Sequence, residues 1–236
     1  MDLKKYEAML DEKKSLKSFP ISDKELCDRY EGVFTSAVND VLRSEGLLSQ
    51  VLPSTIMPLL NEMKACGIAF TIKGSPNLSL EDEMGFRAEM LDAIFPDSVV
   101  LWDTSGDNES SQWGEIMTMS AKKKGCRGAV VDGGVRDTNM VLKQNFPVFC
   151  RYRTSNAMMG RFRMIAYQVP ITIGTVRIYP GDVVFGDIDG VIIIPRDLAY
   201  DVLLKAEGIR DHEVEIKAMV DEGLSPQDVV KKGGYF

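Results

Sequence analysis

Arg136 and Asp137 stand side by side just after an apolar run, and an adjacent cation and anion in that position suit the handling of small charged ligands. An arginine can grip a carboxylate with two parallel bonds and keeps its charge near neutral pH. The aspartate beside it is either its ion-pair partner or a ligand for a hard divalent cation, since magnesium is commonly held by one or two carboxylates and several waters. Twenty residues separate Arg136 from Glu115, which belongs to the run Trp113-Gly114-Glu115-Ile116-Met117. If that run opens a helix, the first-turn N–H groups of residues 114–117 have no intrahelical partner and face a carboxylate or a developing oxyanion with the positive end of the helix dipole. Glycine at the entrance lets a ligand approach closely. Taken alone, an Arg-Asp pair at a helix start is more often a cap and a surface ion pair than a site.

Other chemistries find little support. His212 is the single histidine and reads as a solvated helix residue, so histidine triads and multi-histidine metal sites fall away. Cys27, Cys66, Cys126 and Cys150 form no CxxC pair and read as reduced, buried thiols. No GxxxxGK[ST] phosphate loop is present, the glycines between Gly181 and Gly190 suit hairpin turns, and no glycine-rich methyl-donor loop follows a first strand. A Schiff-base mechanism would need a lysine of lowered pKa, for which Lys73 at a strand end is the one candidate.

The elements that must position these residues follow from patterning. Ala129, Val130 and Val131 predict a strand that turns at Asp132, Gly133 and Gly134, and residues 138–144 are helix-like, so Arg136 and Asp137 fall where a strand gives way to a helix. Residues 66–73 and 98–102 read as strands with a helix between them that ends near Pro96. Residues 103–112 form a polar loop that helps to shape a pocket, and the helix opened at Gly114 runs to about Lys124. Ser22, followed by Asp23, Lys24 and Glu25, makes a capping box, and Leu26, Tyr30, Phe34, Val38, Val41 and Leu42 predict one long helix ending at Gly46. Residues 147–153 and 163–174 suggest two more strands, and residues 176–194 a hairpin with turns at Pro180-Gly181-Asp182 and at residues 187–190. Helical spacing returns over residues 197–222, before a short helix and a loose end after Pro226.

The charge-dense residues 1–18 read as a helical extension. With no repeat or low-complexity linker, the chain is expected to be a single α/β domain with a mixed sheet: residues 1–22 as extension, 23–207 as body, 208–236 as helical tail. A chain of 236 residues with 44% hydrophobic and 27% charged residues can bury a core without staples. A net charge of -7 argues against nucleic acid as a partner. No stretch approaches a membrane span and the N-terminus has no apolar leader, so a cytoplasmic location is expected.

Together, the run from Trp113 to Met117, the twenty-residue spacing and Asp132-Gly133-Gly134-Val135-Arg136-Asp137 resemble the 4-hydroxy-4-methyl-2-oxoglutarate aldolase family, which includes the RraA-like proteins. The hairpin motifs Pro180-Gly181-Asp182-Val183-Val184 and Asp187-Ile188-Asp189-Gly190-Val191 add to the resemblance, which covers residues 26–207. It implies a swivelling β/β/α fold assembled as a homotrimer or hexamer, with sites at subunit contacts. It implies a 2-oxo acid substrate held by the backbone of Gly114, Glu115, Ile116 and Met117 and by Arg136. It also implies Asp137 as ligand of magnesium or manganese, with Glu115 beside a water on that metal. Arg136 and Glu115 are thus the expected catalytic pair. The sequence departs from the aldolase pattern three places after Asp137, where an acidic residue is usual and Met140 stands. Members of the family that lack parts of the pattern decarboxylate oxaloacetate or regulate an RNA-degrading enzyme by binding it, so both remain alternatives to aldol cleavage.

Overall fold

The structure, a computed structural model, describes residues 18–235. Four strands form its parallel centre: β2 (Ala65–Pro76), β3 (Ser98–Asp103), β5 (Gly128–Val135) and β6 (Val148–Arg153), side by side in the order β6-β5-β3-β2. Helices α3 (Met84–Ala93), α4 (Glu115–Lys123) and α5 (Thr138–Leu142) fill the crossovers between them. A short strand β4 (Ser111–Trp113) joins β5 in parallel just before α4 begins. Beyond β2 the sheet continues antiparallel through the hairpin of β10 (Val183–Asp187) and β11 (Gly190–Ile194). The two-residue strand β1 (Met57–Pro58) pairs with β6 at the opposite edge. Residues 50–58 almost close the circle, because Val51 bridges Ile192 of β11 and the Leu52 N–H donates to the Val191 carbonyl at 2.9 Å.

Both faces of the central strands are buried, which is why they read as continuous apolar runs. Along β3 the side chains alternate. Val100 and Trp102 face the cluster under α3, α4 and α5, with Met90, Met117, Ala121 and Val141. Val99 and Leu101 face the inside, where the small antiparallel pair β8 (Ile171–Ile173) and β9 (Val176–Ile178) packs against them. A third cluster seats α1 (Asp23–Tyr30), α2 (Thr35–Ser44) and α6 (Ala199–Asp221) on Cys66, Ile68, Val183 and Phe185. The result is a single mixed α/β domain with a nearly closed mixed sheet. A final helix, α7 (Pro226–Lys231), packs on α6, which runs unbroken past Glu207.

Several expectations need correction. The long first helix is two helices, α1 and α2, parted at residues 31–34. Ser22 does cap α1, its Oγ accepting from the Glu25 N–H at 3.1 Å. However, the first N–H of α2 and the Thr35 hydroxyl both donate to the Asp187 carboxylate at 2.8 Å, a tertiary cap that periodicity along the chain does not reveal. Asp132, Gly133 and Gly134 are not a turn but part of β5, whose pairing with β6 shifts register there. The reason for the glycines is close approach: a Cβ on Gly133 would lie 2.1 Å from Gln112 Oε1, and one on Gly134 would lie 2.5 Å from the Tyr152 ring. Residues 163–174 break at Gln168, whose φ of 54° separates β7 (Phe162–Tyr167), paired with β2, from β8. Residues 176–178 accordingly pair with β8, and only β10 and β11 make the expected hairpin. The expected helix over residues 1–17 lies outside the described residues, and residues 18–22 are not helical.

Candidate functional site

A pocket of about 470 Å³ opens where α4 and α5 start, at the carboxyl ends of the parallel strands. Gly114, Glu115, Ile116, Met117, Arg136 and Asp137 all line it. Chain segments twenty residues apart meet there because β4 runs beside the end of β5, with the Arg136 N–H donating to the Trp113 carbonyl at 3.0 Å.

The entrance to α4 is held from below. Buried Trp113 donates its indole N–H to Thr118 Oγ1 at 2.8 Å, and the Thr118 hydroxyl donates to the Gly114 carbonyl at 2.9 Å. Gly114 has no side chain to cap the helix, and the first backbone donor satisfied from within is Thr118, to the Gly114 carbonyl at 3.0 Å. The N–H groups of residues 115–117 are therefore the unpaired first-turn donors. Gly114 is extended at φ −167°, which any residue adopts, so what favours glycine here is proximity. A Cβ would lie 3.1 Å from Asp137 Oδ2 and 3.2 Å from Arg136 Cγ.

Asp137 starts α5 in the left-handed region at φ 53° and makes no cap bond with its side chain. Its Oδ2 lies 3.4 Å from Arg136 Nε, and both side chains are about half exposed. A carboxylate that is neither buried nor used as a cap is a hard donor open to a small cation. Among the described residues no group of three or more His, Cys, Asp or Glu side chains is gathered for a metal. A single carboxylate of this kind is compatible with magnesium or manganese, which Asp137 would hold, and is not the ligand set of a zinc site.

The loop of residues 103–112 acts mainly as a strut. Asp107 accepts from the Ser110 N–H and hydroxyl and from Gln112 Nε2, the last at 2.7 Å, while Gln112 Oε1 accepts from the Gly134 N–H at 3.0 Å. Ser111 and Gln112 reach the pocket wall. Beneath this network, burial pushes the Asp132 carboxyl up to about 6, against the pull of Arg151 3.5 Å away and with the charge of Asp103 adding to the rise.

Lys73 does not line the pocket; its ammonium is held 2.6 Å from buried Asp103. His212 sits on α6 near Glu215 and stacks on Tyr235. All four cysteines are free and buried. Sequence reasoning missed Arg87 of α3, which lines the pocket with Met84, Met158 and Met159. A single arginine in the stretch Gly85-Phe86-Arg87-Ala88 carries no signal of its own.

The family model RraA-like (Aldolase/RraA) matches residues 35–193, and the chain belongs to that family. It is 32% identical over 205 residues to a protein of Halalkalibacterium halodurans provisionally named 4-hydroxy-4-methyl-2-oxoglutarate aldolase, covering 86% of this chain and 93% of that one. It is also 32% identical over 189 residues to protein DlpA of Legionella pneumophila, covering 80% of this chain but only 30% of DlpA's length. Among solved structures, one described as belonging to novel cellulases from microbes associated with the gut ecosystem is 49% identical. Its TM-score is 0.82, over 84% of this chain and 90% of that one. Streptomyces coelicolor RraAS2, described as an unusual member of the RNase ES inhibitor RraA family, is 26% identical. Its TM-score is 0.76, over 84% of this chain and 99% of that one.

Proposed function

We propose that this protein is a divalent-metal-dependent lyase that cleaves a carbon–carbon bond of a 2-oxo acid and releases pyruvate. One observation carries the reading: the uncapped N-terminus of α4 and the Arg136–Asp137 pair meet in a single pocket. The N–H groups of residues 115–117 receive the carboxylate of the pyruvyl unit. Arg136 faces the keto oxygen, where negative charge grows as the bond breaks and its electron pair moves toward an enolate. A divalent cation bound at Asp137 would supply Lewis acidity to that same oxygen. In aldol cleavage Glu115 takes the proton of the 4-hydroxyl through a water, and protonation of the enolate at carbon then gives pyruvate. Decarboxylation of oxaloacetate passes through the same enolate without needing that base, so one site can serve both reactions.

The reading is tested by pyruvate release from 4-hydroxy-4-methyl-2-oxoglutarate and from oxaloacetate, with magnesium and with chelator. Turnover that chelator abolishes, with no trapping by borohydride, supports it; chelator-resistant turnover trapped by borohydride would transfer the chemistry to a lysine. The ratio of the two substrates reports what Met140 costs the aldol step.

A protein-binding regulator of an RNA-degrading enzyme is the second reading, favoured by the likeness to RraAS2 and by an acidic chain suited to a basic partner. Recovery of a stoichiometric partner by protein inactive on every 2-oxo acid would select it. A cellulase is disfavoured, because a polysaccharide site needs exposed aromatic platforms beside its carboxylates. Trp113, the aromatic residue of the pocket wall, is buried and stacked on Phe146.

A further inference from the structure

We propose that Arg87 is a specificity-determining residue of this pocket, receiving the distal carboxylate of a 2-oxo dicarboxylate whose first carboxylate lies at the N-terminus of α4. The inference rests on the lyase reading for the placement of the first carboxylate, and on the surroundings of Arg87 for the second. The Arg87 side chain is only 20% exposed and lines the pocket from α3. The lining also includes the apolar side chains of Met84, Leu91, Met117 and Met158.

A guanidinium in such a place needs a counter-charge, because burying an ion without a good partner is costly. The partner within the chain falls short of this. Glu83 Oε1 stands 4.0 Å from Arg87 Nε, at the outer limit of an ion pair. The Glu83 carboxylate is moreover shared, with its other oxygen 3.2 Å from the Met164 N–H and 3.5 Å from Arg163 Nε. The remaining polar contact of Arg87 is a weak one, from Nη2 to the sulfur of Met117 at 3.8 Å. Its other donors have no hydrogen-bond partner among the described residues, and the side chain stands between this pocket and a small cleft lined by Glu81, Asp82 and Glu83.

Electrostatics agree with the geometry. Burial pulls the pKa of Arg87 down from its ordinary value, Glu83 opposes this, and the charge of Arg136 pulls it down further, so the two guanidinium groups feel each other across the pocket. Of the two guanidinium groups on the pocket wall, Arg136 has the Asp137 carboxylate beside it at 3.4 Å, whereas Arg87 has Glu83 only at 4.0 Å. A ligand with an anionic group at each end relieves both. The planar fork of arginine suits a terminal carboxylate, and the methionines between the ends suit a short carbon chain.

Two measurements test this. The first compares, with magnesium present, kcat/KM for 4-hydroxy-4-methyl-2-oxoglutarate and for 4-hydroxy-2-oxopentanoate, which lacks the distal carboxylate, in wild type, Arg87→Met and Arg87→Lys. Arg87→Met is expected to lose about 30-fold on the dicarboxylate, chiefly through KM, and several-fold less than that on the monocarboxylate. Arg87→Lys is expected to recover part of the loss. An equal fall on both substrates would make Arg87 a structural residue and overturn the proposal while leaving the lyase standing. The second measures calorimetric affinity for 2-oxoglutarate and 2-oxopentanoate. A wild-type preference for the diacid that vanishes in Arg87→Met supports the role of Arg87 even if no turnover is found, in which case the lyase reading fails alone. Absence of a preference in wild type would overturn the proposal.

Discussion

Gly114 is, at the scale of single residues, the glycine that borders the site, and its missing Cβ lets the backbone donors of α4 stand close to Arg136 and Asp137. Gly114→Ala would push those neighbours by a few tenths of an ångström without backbone strain. It is expected to cut kcat/KM roughly tenfold, since small misplacements of reacting groups are expensive, while leaving the melting temperature nearly unchanged. Asp132 offers a test by pH. Its carboxyl, ordinarily near 3.8, is raised to about 6 by burial, so the folded state binds the proton more tightly than the unfolded one. The stabilisation that this gives is complete below pH 4 and is lost as pH rises through 6. Thermal unfolding of Asp132→Asn should therefore improve relative to wild type by a few degrees between pH 4 and pH 7, and a difference that stays flat across that range would refute the assignment. Arg136 and Asp137 were legible in the sequence because they are adjacent and at a set spacing from Glu115. Arg87 was not, because its significance comes from burial against Met117, a contact made only in the folded chain.

At the scale of elements, α4 works because its first turn is anchored through Trp113 and Thr118. Thr118→Val keeps the shape but leaves the buried indole N–H of Trp113 without its acceptor. A cost of about 1–3 kcal/mol is expected, visible as a lower midpoint in urea with an unchanged slope. Most helices and strands were legible from hydrophobic period and turn residues. The exceptions share a cause: the same residue type serves two purposes. Gly133 and Gly134 signal a turn in sequence, yet here they make room for Gln112 and Tyr152 inside a strand. Helical spacing continues through Phe34, yet Asp187 captures the N–H of Thr35 and starts a second helix.

For the whole molecule, the mixed α/β class followed from the alternation of strand and helix, but the near closure of the sheet did not. Closure depends on a two-residue strand, β1, and on one bridge at Val51, neither with a pattern long enough to read. No helix among the described residues is long and apolar enough to cross a membrane. Met84, Ile116 and Met159 are exposed at the pocket mouth, an apolar rim of the kind that marks a contact surface. A homotrimer or hexamer is the expected assembly. Light scattering should then return three or six times the 26.2 kDa chain mass, and a monomer at micromolar concentration would contradict that expectation.

The most direct test of the lyase site is metal-dependent pyruvate release, above the enzyme-free blank, by wild type and Asp137→Ala at equal thermal stability. Chemistry centred on Asp137 predicts a fall of roughly 100-fold or more in kcat/KM, as removal of a metal ligand at the reacting centre entails. Wild-type turnover in the variant would contradict it and move the reaction to another part of the molecule.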